Sequence, residues 1–325
     1  MASKIPEDAI PVMPGPLRDF TAETFRKVGL PNEDARVIAD SLVDVDLRGV
    51  VSHGTRQAPG YVNLYLDDRM NKNPNIRIER ETPSTLVANG DGGIGYLVAH
   101  RASDLVIEKA VACGIAVGST RNHGHIGSAG IYARKAIEKS LVSFCIGGSA
   151  HWVAPQSPDA VVWDAMKSPP WCCGIPSAEG PPVVVDMAAN FFRGRGMALE
   201  AFEEYPEAVF KSLGLMFVST VAGGVLGGRF TEGELEYAYC GRGSIFIALH
   251  PDAVGDAEHF RSEVTRIVSA TRKLKPMPGM DTAESPGSLE WQRERDWEQE
   301  GIPIGADHRA MLEEMGTKVG VDVPW

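Results

Sequence analysis

The chain has 325 residues, 43% hydrophobic and 23% charged, the balance of a soluble globular protein with room for two domains or one large domain carrying an insertion. Lys and Arg number 32 against 43 Asp and Glu, a net charge of −11, and a surface of that sign repels a phosphate backbone, so no nucleic-acid partner is expected. No membrane span is expected either: a span needs about 18 apolar residues in a row, and the nearest approach, Leu213 to Leu226, is interrupted by Ser219, Thr220, Gly223 and Gly224.

Pro31-Asn32-Glu33-Asp34 opens a helical pattern through Val37, Ile38, Leu42 and Val45 that ends near Gly49. Ser84 to Ala88 reads as a strand. Leu97, Val98, Leu105, Val106 and Ala110 then recur at helical spacing up to Gly114, a C-cap glycine. Ile115 to Thr120 reads as a strand, Ser128 to Lys139 as a helix and Leu141 to Ile146 as a strand. Pro155 to Pro182 is rich in proline and reads as irregular. Pro182 to Met187 is a strand pattern, Phe210 to Leu226 an apolar helix, Ser244 to Leu249 a strand and Ala257 to Lys275 an amphipathic helix. A loop over Pro276 to Gly287 leads to two last helices, and the five Glu and one Asp between Glu284 and Glu300 read as a solvated helical face. Strands alternating with helices predict an α/β protein.

The N-terminus carries acids and prolines where a signal peptide has an apolar run. The five cysteines, Cys113, Cys145, Cys172, Cys173 and Cys240, are an odd set without C-x-x-C. A reduced, cytoplasmic chain is the expectation.

Gly90, Gly92 and Gly95 spell G-x-G-x-x-G between a strand and a helix. A dinucleotide cradle also needs an acid at the end of the next strand, where Ser119, Thr120 and Arg121 stand, and Asp91 would face the pyrophosphate. A turn whose glycines supply positive φ is therefore preferred. Reactive groups gather elsewhere. Asp46 to Gly54 offers the Arg48 guanidinium, a two-pronged donor for a carboxylate, and His53 between Ser52 and Gly54. Arg121 to Gly130 offers His123 and His125 between a strand and a helix, where an imidazole with a pKa of about 6.5 is suited to exchanging a proton. A metal held by His123, His125 and His151 is disfavoured, because no carboxylate or cysteine has matching spacing. Ordinary capping and packing roles for these loops stay open.

Together, Asp46-x-Arg48-Gly-x-x-Ser52-His53-Gly54, Asp91-Gly92-x-x-Gly95 and His125-Ile-Gly127-x-Ala129-Gly130-x-Tyr132-Ala133 resemble the type-2 malate/L-lactate dehydrogenase family. This group includes ureidoglycolate and sulfolactate dehydrogenases and diketogulonate and piperideine-carboxylate reductases. The resemblance continues at Val184 to Ala188, Lys211 to Leu215, Ser285-Pro286-Gly287 and Gly301-Ile302-Pro303, nearly the whole chain. It implies a non-Rossmann nicotinamide-binding domain, 121–234, inserted in an α/β substrate domain, 1–120 and 235–325, and a homodimer. It implies hydride transfer between NAD or NADP and a small 2-oxo, 2-hydroxy or imino acid. By position, His125 and His53 match the proton-handling histidines, and Arg48 would hold the substrate carboxylate. Ser149, Asp186, Met187, Ala188, Lys211, Pro286, Gly287 and Ser288 match cofactor contacts. No metal site is implied.

Several positions depart from the family pattern. Gln57 stands where an arginine is usual, with Arg56 one residue earlier; Gly124 replaces an asparagine; and Lys167-Ser-Pro-Pro170 and Asp186-Met-Ala-Ala-Asn190 lose polar groups. Only 25 positions separate Asp186 from Lys211, where the family has a longer segment that walls the cofactor cleft. Arg193-Gly-Arg195 lies in that stretch. A cofactor-independent lyase, isomerase or hydrolase using the same histidines is the alternative, and a catalytically silent binding protein a third reading. The dehydrogenase reading expects His125 and Arg48 to converge on one small anionic guest.

Overall fold

The computed structural model describes residues 4–149, 152–166, 168–192, 194–227 and 235–325. His151, Lys167 and Arg193 lie outside them. In chain order the elements are β1 (Ile10–Val12), α1 (Pro14–Lys27), α2 (Asn32–Leu47), α3 (Ala58–Leu66), β2 (Arg77–Glu81), β3 (Thr85–Gly93), α4 (Gly95–Cys113), β4 (Ile115–His123), α5 (Gly130–Glu138), β5 (Val142–Ser149), β6 (Pro170–Ile175), β7 (Val183–Ala188), α6 (Gly194–Glu204), α7 (Pro206–Gly223), β8 (Arg242–Leu249), α8 (Ala257–Thr271), α9 (Ser288–Glu300), β9 (Ile302–Ile304) and α10 (Ala306–Val319). Periodicity placed α2, α4, α5, α7 and α8 close to where they form. Ala35, Ile38, Ala39, Leu42 and Val43 bury one stripe of α2, and each such aliphatic side chain taken from water contributes about 1.5–3 kcal/mol when large.

One seven-stranded sheet runs β2-β3-β4-β8-β5-β6-β7, and the two-stranded β1-β9 pair ties the chain's ends together. Only β3 and β4, joined by α4, pair in parallel; every other neighbouring pair in the sheet is antiparallel. The fold is thus mixed α/β around a central sheet. β8 is inserted between β4 and β5, and its near-continuous apolar run suits that central place. The stretch expected to be irregular holds β6, whose Cys172 and Cys173 pair with Cys145 and Phe144 of β5; proline at its first residue is tolerated there. The expected boundary at 120/121 falls inside β4, and strands from both sides of it share the sheet.

The main core packs α1–α5 and α10 against that sheet. A second, smaller cluster, Trp163, Ala189, Ala198, Val209, Leu213 and Met216, lies between α6, α7 and the chain before them. α7 and the turn after it, Pro206–Gly227, are long and apolar enough to cross a membrane, contrary to the reading of its Ser, Thr and Gly as interruptions. One side of α7 packs on β5. On the other, Phe210, Phe217, Val218 and Val221 are exposed.

Candidate active site

His53 and His125 come from loops 72 residues apart in the chain and meet with ring centroids 5.8 Å apart. The first loop leaves α2, turns by a His53 N–H to Val50 carbonyl bond of 2.9 Å, and enters a 3-10 turn at Thr55–Gln57 before α3. Gln57, where the family pattern has arginine, donates to the Ser52 carbonyl at 2.6 Å and so braces the loop. Ser52 Oγ lies 3.0 Å from His53 Nδ1.

His125 follows β4. The glycine turn decides where it stands. Asp91 and Gly92 have φ of 51° and 72°, so this is a tight turn with positive φ, and Asp91 accepts from the Asn75 N–H at 2.9 Å. A Cβ on Gly95 would sit 2.6 Å from the carbonyl oxygens of Gly124 and His125, so only glycine lets the histidine's backbone cross the start of α4. Arg121, weighed as a phosphate reader, makes a two-pronged pair with Glu79 at 2.9 and 3.1 Å. His123 ends β4 rather than lying in a loop, and it is fully buried. Both its ring nitrogens are engaged, by the Gly124 carbonyl at 2.7 Å and the Thr120 hydroxyl at 2.8 Å, leaving neither for a metal.

The Tyr61 hydroxyl, on α3, lies 2.6 Å from His125 Nδ1. Burial holds Tyr61 well above the usual phenol range, so it keeps its proton. Burial, reinforced by the positive field of Arg242, lowers the His125 pKa to about 3, and the ring is neutral at ordinary pH. Because a phenol both donates and accepts, Tyr61 supports either neutral tautomer of His125. With Nδ1–H donated to Tyr61, Nε2 is bare and can take a proton from an alcohol; with the reverse tautomer, Nε2–H can donate to a carbonyl oxygen. Arg242 opens β8, its guanidinium over the Tyr239 ring at 5.0 Å, and no carboxylate pairs with it among the described residues.

Arg48 does not join this group. It caps α2, with its guanidinium donating to the Asp44 carbonyl at 2.5 Å and to Glu294 of α9. The expected convergence of Arg48 with His125 is therefore absent from the contacts the structure shows, because Glu294, distant in sequence, occupies the fork.

The residues expected at the cofactor fall into three places. Ser149 ends β5, pairs in register with Arg242 and lies against Gly224 after α7. Asp186 Oδ2 accepts from the Gly130 N–H at 2.7 Å and from the Ser128 hydroxyl, so it caps the positive end of α5. Met187 and Ala188 pair with Trp171 and Pro170 of β6. The Pro286-Gly287-Ser288 turn lies on β7: the Val184 N–H donates to the Pro286 carbonyl at 3.0 Å, and Gly287, at φ 86°, has no space for a Cβ beside Val184. Lys211 is exposed on α7, apart from both groups in sequence.

A family model described as malate/L-lactate dehydrogenase matches residues 13–204 and 191–313. The chain belongs to the malate/L-lactate dehydrogenase family. It is 25% identical to the L-sulfolactate dehydrogenase of Methanocaldococcus jannaschii over 342 positions, covering 93% of this chain and 95% of that one. It is 35% identical to the malate dehydrogenase of Pyrococcus abyssi over 186 positions, 57% of this chain and 50% of that one. The solved malate dehydrogenase of Pyrococcus horikoshii OT3 superposes with a TM-score of 0.83 at 25% identity, covering 99% of each chain.

As a member of this dehydrogenase family the chain is an enzyme, an oxidoreductase acting on small acids. The two segments matched by the family model overlap at residues 191–204, between Asp186 and Lys211. The sulfolactate dehydrogenase alignment spans more positions than the residues it covers here, so that relative carries residues this dehydrogenase lacks. Sequence reasoning missed Tyr61 and Arg242. Tyr61 sits on α3, a helix that the residue pattern around Pro59 and Gly60 did not suggest. Arg242 had one available signal, an arginine after Tyr239-Cys-Gly and directly before an apolar strand.

Proposed function

We propose that the chain moves a hydride between NAD or NADP and the α-carbon of a small 2-hydroxy or 2-oxo acid, with His125 exchanging the proton, His53 as a second proton carrier and Arg242 holding the carboxylate. The observation that supports this best is the His125 ring, hydrogen-bonded to Tyr61 and kept neutral by burial and by the field of Arg242, which has no acid partner among the described residues. An oxidised 2-hydroxy acid must lose a proton as its hydride leaves, and a base at hydrogen-bond reach speeds that loss. An anionic guest on Arg242 offsets the positive field that adds to the effect of burial on His125, and so moves its pKa upward. Arg48 can serve as anchor only when Glu294 is displaced from it, whereas Arg242 needs no such exchange.

Ser285 Oγ is buried without a partner among the described residues, next to the Pro286-Gly287-Ser288 turn, and this spare hydrogen-bonding group fits a polar cofactor. Ser149, Asp186 to Ala188, Lys211 and that turn would hold the nicotinamide nucleotide at a non-Rossmann site, and the nicotinamide would supply the hydride acceptor. A homodimer and a reduced cytoplasmic setting complete the proposal. The exposed apolar side of α7 favours a covering surface, and the free cysteines favour a reducing compartment.

The test is a screen of L-malate, L-lactate and L-sulfolactate with NAD⁺ and NADP⁺, read by absorbance of the reduced nicotinamide, beside fluorescence titrations with NADH and NADPH. Turnover with one cofactor and a 2-hydroxy acid is expected. Binding of neither cofactor ends the proposal, and turnover of an acid with nicotinamide rigorously absent favours the cofactor-free alternative.

A further inference from the structure

Beneath the His53 loop runs a buried polar chain that the hydride chemistry leaves unused. Asp46, in the last turn of α2, is fully enclosed. Its Oδ2 accepts from the Thr55 N–H at 2.9 Å and from the Thr55 hydroxyl at 2.5 Å. Thr55 is also fully buried, and its Oγ1 lies 2.9 Å from Nε2 of the buried His308 on α10. A hydroxyl has one proton, so with Thr55 donating to Asp46 the imidazole donates its Nε2–H to Thr55.

The remaining Asp46 oxygen faces backbone. A Cβ on Gly54 would stand 1.8 Å from Oδ1, so the residue after His53 rests directly on the carboxyl. Oδ1 has no hydrogen-bond partner among the described residues. A buried carboxyl with one bare oxygen is a costly filling for a core, and an apolar set of the same shape would avoid that penalty. Burial accordingly lifts the Asp46 pKa to about 7, against the opposing pull of the Thr55 bonds and of Arg56. Such a chain is better explained by where it puts its neighbours than by the stability it adds.

We infer that Asp46, Thr55 and His308 are positioning residues: they fix Gly54 from below and thereby set where the His53 imidazole stands relative to His125. The inference rests on the reading of His53 as a proton carrier. It joins the end of α2 and the turn at Thr55–Gln57 that follows it to α10, 253 positions further along the chain, so that the placement of one ring depends on a distant helix.

Histidine-ring NMR on the full chain tests it without a known substrate. Thr55→Val keeps the shape and removes the hydroxyl; loss of the protected His308 Nε2–H signal and displacement of the His53 ring signals are expected. Thr55→Ser restores the hydroxyl and is expected to return both signals to their wild-type positions. The His53 signals are assigned by their absence in His53→Gln. If they stay in place in folded Thr55→Val protein, the inference is overturned, since the chain then serves the fold alone. Should Thr55→Val fail to fold, His308→Phe keeps a ring and removes the donor; the His53 signals must again move, and their constancy overturns the inference. Once a substrate is in hand, Thr55→Val should lower kcat roughly tenfold or more at unchanged cofactor affinity. It should add nothing further in a His53→Gln background. His53→Gln with undiminished kcat would sink the proton-carrier reading and leave the NMR displacement standing, so the two failures are distinct.

Discussion

His125 has to stay neutral to accept a proton, yet it must also release one, and its surroundings answer these demands separately. Burial and Arg242 keep it neutral, with a pKa of about 3, while Tyr61 orients the ring. His125→Gln should therefore lower kcat by about 100- to 10,000-fold while leaving the NADH or NADPH dissociation constant unchanged, as measured by steady-state rates and fluorescence titration. Arg242→Gln should act on the other axis, raising KM for the acid substrate by about tenfold or more, because a charge-assisted contact to a carboxylate contributes about 1.5–3 kcal/mol. Arg48→Gln is the control. It loses the pair with Glu294, so its effect should fall on the thermal midpoint; a larger KM effect at Arg48 than at Arg242 would reverse the assignment of the anchor. At this scale the residue type was legible and the partner was not. A guanidinium suits any carboxylate, and nothing near Arg48 in the chain announces Glu294.

Among the elements, the β3–α4 turn carries the sharpest consequence. Its three glycines were readable as a motif, and Asp91 within the turn argued against a phosphate cradle. What they do instead depends on a segment some thirty residues further on: Gly95 leaves room for the carbonyls of Gly124 and His125. Gly95→Ala should push that backbone away, costing about 1–3 kcal/mol in urea unfolding and lowering kcat, since His125 moves with it. Unchanged stability and rate in the alanine variant would contradict this account. The helices with strong 3.6-residue periodicity were legible; β1, β2, β9, α1, α3 and α6 were not. β1 and β9 are three residues long, too short for an alternation to register, β2 is largely exposed and charged, and β6 was masked by its prolines and cysteines.

For the whole molecule, burial of titratable groups sets the response to pH. His123 and His308 have pKa values lowered from 6.5 to about 4, chiefly by burial. The unfolded chain binds their protons first as pH falls, so the stability that depends on their neutrality is lost between pH 6.5 and about 4, on the order of 3 kcal/mol for each group. Asp46 runs the other way. Raised from 3.8 to about 7, it keeps its proton in the folded chain, and the stability attached to that proton is lost as pH rises through the same interval and on to about 7. His100 and His125, lowered to about 3, act in the same sense as His123 and His308, so four imidazole protons against the one on Asp46 leave a net gain of stability from pH 4 to 6.5. Thermal midpoints should climb across that window, and Asp46→Asn should steepen the climb; a flat profile in both proteins would refute the assignment.

The residues alone determined the α/β character, the principal helices, the two histidine loops and the family, because periodicity, turn chemistry and ordered motifs are local properties that a linear chain displays directly. Tertiary structure alone decided that β8 enters between β4 and β5, that Glu294 takes Arg48, that Tyr61 meets His125, and that His308 reaches Thr55 from the far end of the chain. Those are contacts between segments separated by scores to hundreds of residues. Their partners are chosen by shape, burial and charge balance in three dimensions, which no local pattern in the chain encodes.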